Sequence, residues 1–136
     1  MSMFSAFDIA GSAMSAQAQR MNVTASNMAN ADSVAGPDGE TYRAKHVLFE
    51  TQLQSNRYGM GGVRVRDIVE DDSPLRLEYQ PNHPAADEDG YVAKPNVEPV
   101  HEMVNMISAS RSYQANIEVF NTTKQMMIQT LSLGEG

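Results

Sequence analysis

Cysteine is absent from all 136 residues. That gap removes disulfides, thiolate nucleophiles and thiolate metal sites together. It fits any compartment and suits a chain that passes from a reducing one to an oxidising one. Tryptophan is also absent and aromatics make up only 7%, so a core built around large rings is not expected. Positive charge is scarce: ten Lys and Arg stand against seventeen Asp and Glu, for a net charge of −7. A phosphate backbone is repelled by that balance, and no basic run of five or more residues offsets it, so no nucleic-acid partner is expected. No apolar run approaches the ~20 residues of a membrane-spanning helix. The first basic residue is Arg20, so the basic start of a cleaved secretory leader is missing.

Methionine is abundant, with ten residues. Its unbranched, polarizable side chain fills irregular gaps in a core and adapts equally well to a partner surface. Charge is distributed unevenly. Positions 1–31 hold only Asp8 and Arg20, and positions 100–136 hold only Glu102, Arg111, Glu118, Lys124 and Glu135. Thirteen acidic and seven basic residues lie between 32 and 99. The middle is therefore a solvated surface, and the ends are nearly neutral.

Both ends carry helical stripes. Phe4, Phe7, Gly11, Met14, Ala18, Met21, Ala25 and Met28 alternate in steps of three and four. Met103, Met106, Ser110, Tyr113, Ile117, Phe120, Lys124, Met127 and Leu131 do the same, with Ser110 and Lys124 off the apolar pattern. This spacing predicts one apolar seam along each helix and a partner helix to cover it. The faces beside the first stripe carry Ser12, Ser15, Gln17, Gln19, Asn22, Ser26 and Asn27, where a solvated helix normally carries charge. A helical hairpin with a polar exterior accounts for this less well than assembly with neighbours on more than one side.

The first helix is expected over about residues 4–30, stopped by Asn30, Asp32, Ser33 and the Gly36-Pro37-Asp38-Gly39 cluster. The second is introduced by Pro95 and Pro99 and runs to Leu133, with Gly134 ending it. Ser, Asn, Thr and Gly are mediocre helix formers, so the ends are expected to gain order on assembly. Between them, Tyr42–Leu53, Val63–Val69, Leu75–Tyr79 and Tyr91-Val92 read as short strands, with a turn at Gly59–Gly62. The expected fold is mainly α with a small β region (α+β). An N-terminal helix (1–31) and a C-terminal helix (100–136) form an antiparallel coiled-coil seam around a small antiparallel sheet (32–99).

No constellation for catalysis stands out. Asp87-Glu88-Asp89-Gly90 invites a calcium-loop reading, but an EF-hand register would place Ala85 first and Asn96 last, so the pattern fails at both ends. His46, His83 and His101 share no HxxxH spacing, and Gly59-Met60-Gly61-Gly62 lacks the Lys-Ser/Thr of a phosphate-binding loop. No catalytic residue, cofactor or metal site is expected.

At the amino end, Phe7-Asp8-Ile9-Ala10-Gly11-Ser12-Ala13-Met14 leads through Gln17, Arg20-Met21-Asn22 to Ser26-Asn27-Met28-Ala29-Asn30. At the other end, Pro95-Asn96-Val97-Glu98-Pro99 precedes Glu102–Ile107, Ser108–Asn116 and Lys124–Met127, with Asp89-Gly90-Tyr91-Val92 just upstream. Together these resemble the terminal signatures of the flagellar rod, hook and hook-associated axial proteins. The segment 32–39 lacks the Thr-Pro-Gly-Tyr common in related axial proteins, and the short length resembles a proximal rod subunit. The resemblance implies a structural subunit of the basal-body rod, exported by the flagellar type III apparatus without a cleaved signal peptide. It also implies that the rod is a helical shaft crossing the periplasm, with the terminal helices in its inner tube. The implied partners are other rod subunits, copies of the chain itself, the inner-membrane ring and adjoining basal-body proteins. The stripe residues become candidate packing positions, and Glu102, Arg111, Glu118 and Lys124 candidates for charge pairs between subunits. The alternative is a soluble, chaperone-like adaptor of a secretion system that uses the same helices.

Overall fold

The computed structural model describes residues 3–35, 39–53 and 61–134. Its elements run α1 (Met3–Ala29), β1 (Lys45–Gln52), β2 (Gly62–Glu70), β3 (Arg76–Tyr79), β4 (Tyr91–Lys94) and α2 (Pro99–Gly134). At 1.5 Å per residue the helices are about 40 Å and 54 Å long. They pack against each other, and α1 also packs on β1 and β2, so α1 is the shared element of the fold.

Asparagine side chains end α1. Asn30 donates its side-chain amide to the Ser26 carbonyl at 2.8 Å, while its backbone N–H reaches the Ser26 and Asn27 carbonyls. Ser33 then closes onto the Asn30 carbonyl with its hydroxyl. This satisfies carbonyls that a helix end leaves orphaned. Gly36, Pro37 and Asp38 lie outside the described residues. α2 begins with Pro99, whose missing N–H costs nothing in a first turn, and the Glu98 carbonyl accepts the Glu102 N–H. Gly134 is the last helical residue rather than the stop.

The middle forms two separate two-stranded ladders, where the sequence suggested one sheet. β1 pairs antiparallel with β2, with an irregularity at Leu48/Phe49 that skips Arg66 on the partner strand. β3 pairs antiparallel with β4, Tyr79 opposite Tyr91. β1 starts at Lys45, three residues later than the alternation suggested, because Ala44 is drawn into a small core with Ala31 and Val97, against which Tyr42 packs. Of the expected Gly59–Gly62 turn, Gly59 and Met60 lie outside the described residues, and Gly62 opens β2. There the strand meets α1 so closely that a Cβ on Gly62 would lie 2.3 Å from the Ser12 hydroxyl, which accepts the Val63 N–H at 3.1 Å.

Asn96 ties the ladders to the start of α2. Its carbonyl accepts the Ala44 N–H at 2.8 Å, and its amide donates to the Asp71 and Ser73 carbonyls. Asp71 caps the same turn by accepting the Ser73 N–H, and His46 lies 3.3 Å away. These contacts, the Ser73 N–H first, hold the Asp71 carboxyl below its usual range. Hydrogen bonds from Lys94 and Gln80 do the same for Glu78 on the β3–β4 ladder. Both groups hold protons less readily when folded, so their stabilising effect is full above the ordinary carboxylate range (about 4) and is lost as pH falls through the folded-state values. Thermal unfolding followed from pH 7 downward is expected to be insensitive to these groups until about pH 4 and to weaken below it. Glu78→Gln should flatten part of that acid limb, and an unaltered limb would remove Glu78 from the account.

Candidate assembly interface

Along α2 the inward series is Glu102, Met106, Ala109, Tyr113, Asn116, Phe120, Thr123 and Met127, all buried or half-buried. It shares Met106, Tyr113, Phe120 and Met127 with the expected stripe. At every second position it is displaced by one residue: Glu102, Ala109, Asn116 and Thr123 are inside, and Met103, Ser110, Ile117 and Lys124 flank them. One residue is about 100° of helix, so Met103 (55% exposed) and Ile117 (37%) turn away from α1, and Leu131 (70%) lies free. On α1, Ala10, Ala16, Thr24 and Asn27 are buried. Phe7, Gly11, Met14, Ala18, Met21 and Met28 are half-buried beside them, while Phe4 and Ala25 are exposed.

Two contacts fix the seam's ends. Phe7 meets Phe120 edge to face, ring centroids 4.6 Å apart, a geometry the ring quadrupoles favour. At the other end Asn27, 1% exposed, gathers three elements. Its amide donates to the Lys45 carbonyl at 2.8 Å and to Glu102 Oε2 at 3.1 Å. Its oxygen accepts the Lys45 N–H at 2.9 Å and the Tyr42 hydroxyl at 2.8 Å. All four hydrogen-bonding positions of the side chain are filled. Glu102 is thereby an internal residue, 4% exposed, and is withdrawn as a candidate for charge pairs between subunits. Between these ends Arg20 reaches Asn105 at 3.4 Å. Arg111, Glu118 and Lys124 remain exposed.

The interior is built from small side chains. Of the eight buried apolar side chains among the described residues, five are Ala, and the other three are Val92, Pro95 and Val97. Many large ones are exposed: Val100, Met103, Val104 and Ile107 on the first turns of α2, then Val119, Met126, Ile128, Leu131 and Leu133. The expected stripe held Met103 and Leu131 but not Val100, Val104, Ile107, Val119, Met126, Ile128 or Leu133. The signal was there, since Val100, Val104 and Ile107 are themselves spaced by four and three. Scattered exposed apolar residues are ordinary; Val100, Val104 and Ile107 differ in sharing one side of the first turns of α2.

Chemistry of other kinds finds little footing. Among the described residues no three His, Asp or Glu side chains are grouped to hold a metal ion. Asp87 Oδ1 accepts the backbone N–H groups of Asp89 and Tyr91, which makes its acidic loop a turn built on its own side chain. A cleft of about 340 Å³ lies between α1, β1 and α2, lined by Arg20, Thr24, Lys45, His46 and Glu102 among others, with the Glu102 carboxylate held by the Asn27 amide. No helix among the described residues is long and apolar enough to cross a membrane.

Residues 7–37 match the family described as flagella basal body rod protein, and residues 88–133 match the flagellar basal body rod FlgEFG protein C-terminal family. The flagellar basal-body rod protein FlgC of Yersinia enterocolitica is 62% identical over 135 residues, covering 99% of this chain and all of the relative. FlgC of Escherichia coli O157:H7 is 57% identical over the same shares. FlgC of Buchnera aphidicola subsp. Baizongia pistaciae is 40% identical over 139 residues, again 99% of this chain and all of the relative.

Proposed function

The chain belongs to the FlgC family of flagellar basal-body rod proteins and is a structural subunit of the rod; on that premise we propose that its helix pair forms the wall of a helical tube and passes torque along it. Its place is the basal body, where it assembles with other rod components. The contacting surface is the outer face of α2 together with the flanks of α1, and its neighbours are other rod subunits, copies of itself and proteins of the inner-membrane ring. What supports this reading is that the fully buried positions of the helix pair are small or polar, Ala10, Ala16, Thr24, Asn27, Glu102, Ala109 and Thr123, while Val100, Met103, Val104, Ile107, Ile128 and Leu131 are exposed. A solitary domain would bury its large apolar groups, since each is worth about 1.5–3 kcal/mol when removed from water. Many such modest contacts repeated around a lattice give stiffness without any single strong bond.

The rod crosses the periplasm in this reading, and the chain reaches it unfolded through the flagellar export apparatus without losing a signal peptide. A cysteine-free chain with a small core of alanines suits such transit. The adaptor alternative finds no support in the relatives.

Ile117→Asp tests the outward surface. Ile117 is partly exposed and outside the inward series, so the purified variant is expected to keep its helical circular dichroism. Cells in which it is the sole copy are expected to make and export the protein but not swim. Normal swimming would remove Ile117 from the contact surface. Met14→Asp is expected to be immotile as well, with additional loss of stability because Met14 is half-buried against the seam.

A further inference from the structure

The β3–β4 ladder turns its apolar side to solvent. Leu77, Tyr79, Tyr91 and Ala93 share one side, and Arg76, Glu78, Val92 and Lys94 the other. Val92 is buried and Arg76 reaches the Ala31 carbonyl past the end of α1, so the second side lies against the molecule. On the first, Leu77 is 66%, Tyr79 63% and Tyr91 41% exposed. A small antiparallel ladder ordinarily does the reverse. The rings are also fixed in place. Tyr79 meets Tyr91 edge to face, centroids 5.3 Å apart. Its ring lies so close to Gly90, where φ is +84°, that a Cβ there would be 2.9 Å away. Directly before Gly90 stand Glu88 and Asp89, exposed and with no side-chain partner among the described residues. No Lys or Arg occurs from 77 to 93. Aromatic faces beside free carboxylates suit a guanidinium, which stacks on a ring and offers a fork of N–H donors to the acids.

We propose that Arg66 of a second copy of the chain docks on this face, between the Tyr79–Tyr91 pair and the Glu88 and Asp89 carboxylates. The inference rests on the reading of the chain as an assembling rod subunit, and it places a contact in the β region, apart from the helices. Charge selects the occupant. Among the described cations of the middle segment, Arg43, Lys45, Arg64, Arg76 and Lys94 are each engaged by a hydrogen bond or ion pair. Arg66 alone is not, and it is exposed. It is the residue that the β1–β2 register skips, and an extra strand residue of this kind is left unpaired in its ladder. The strands of the two ladders make no contact within one chain, so the match is made between copies. A chain of net charge −7 repels its own kind unless a free cation meets a free acid. The two surfaces differ, so the contact is heterologous and repeats along a lattice instead of closing a pair. One guanidinium on an exposed ring is a weak bond. Its effect is to orient the β region of one copy on the next, as charge complementarity does at interfaces generally.

Charge reversal provides the test. Arg66, Glu88 and Asp89 are exposed and unpartnered, so reversing them is expected to leave the circular dichroism and melting temperature of the purified chain unchanged. Cells whose sole copy carries Arg66→Glu are expected to lose swimming. Adding Glu88→Arg and Asp89→Arg to that variant is expected to restore most of it. Normal swimming of Arg66→Glu, or a triple variant no better than Arg66→Glu, would overturn the proposal. A second measurement leaves every proposed group in place: Leu77 is replaced by the photo-crosslinking residue p-benzoylphenylalanine, and isolated basal bodies are irradiated. A product of twice the chain mass is expected, attached within residues 45–70. Attachment elsewhere in the chain, a product of another mass (a different protein on this face), or no product from basal bodies that hold the variant would also overturn it. Whether the unsubstituted chain is present in basal bodies is measured separately. Its absence would sink the rod reading, whereas its presence without attachment at 45–70 would sink only this contact.

Discussion

Replacing Asn27 by Leu is expected to lower folding stability by about 3 kcal/mol or more, a fall in melting temperature of roughly 10 °C for a chain of this size. The side chain is shut away from water and makes four hydrogen bonds to Tyr42, Lys45 and Glu102. Leu keeps the volume but removes every partner. The Lys45 N–H and carbonyl lose their bonds at the start of β1, and the Glu102 carboxylate loses its amide donor inside the seam. Leaving a buried polar group unsatisfied costs about 1–3 kcal/mol, and more where the group is charged. Tyr42→Phe removes one of the four bonds and is expected to cost only about 1 kcal/mol. Combined with Asn27→Leu it should add little, because of its two partners only the Ser26 hydroxyl, at 3.3 Å, is left. Thermal unfolding of the four proteins followed by circular dichroism gives the cycle. A melting temperature unchanged by Asn27→Leu would mean that the joint between helix pair and β region is held by something else.

The second large effect is expected from adding volume at Ala109. Its exposure is 0% and it lies on the inward face of α2, between the Glu102 and Phe120 contacts. Ala109→Leu places three further heavy atoms where α1 already lies. Overfilling a packed site typically costs about 1–3 kcal/mol, occasionally more. Here the rigid helices spread the strain, because pushing them apart at 109 opens Asn27–Glu102 on one side and Phe7–Phe120 on the other. Loss of assembled rods is expected alongside the loss of stability. Ala109→Gly separates this from helix propensity: it leaves the space free and should cost about 1 kcal/mol through the backbone alone. If Leu proved no worse than Gly, the helices would not touch at 109.

Legibility differed sharply between elements. The two helices were readable because a period of three and four over seven turns has no other regular explanation. Their length, order and antiparallel pairing followed. The short strands were readable from alternation, although Ala44 was misplaced on the strand because its burial comes from Ala31 and Val97, which are distant in sequence. The motifs Ser26–Asn30 and Pro95–Pro99 were visible as signatures, but not as machinery. In the structure Asn27, Asn30 and Asn96 are staples that hold helix ends and ladders together. The one available hint was that Asn is a poor helix former, so its position inside α1 called for a side-chain role.

The facing of the seam was only half readable. Lys124 and Ser110 in the expected stripe were the warning: in the fold the inward positions are Thr123 and Ala109, one residue earlier. Choosing the stripe with the larger apolar side chains assumes that a chain buries what water rejects most. That assumption fails here at Met103 and Ile117, which face outward while Ala109, Asn116 and Thr123 lie inward.

The sequence by itself determined the class of molecule: two nearly uncharged amphipathic helices flanking a charged middle, with no thiol, no grouped ligands and no basic patch. Periodicity and charge are local properties, and local properties are enough for that. Only the tertiary structure decided which face of each helix looks inward. That depends on side-chain volumes meeting across a gap set by Ala109 at its middle, and on four hydrogen bonds converging on Asn27 from three distant segments.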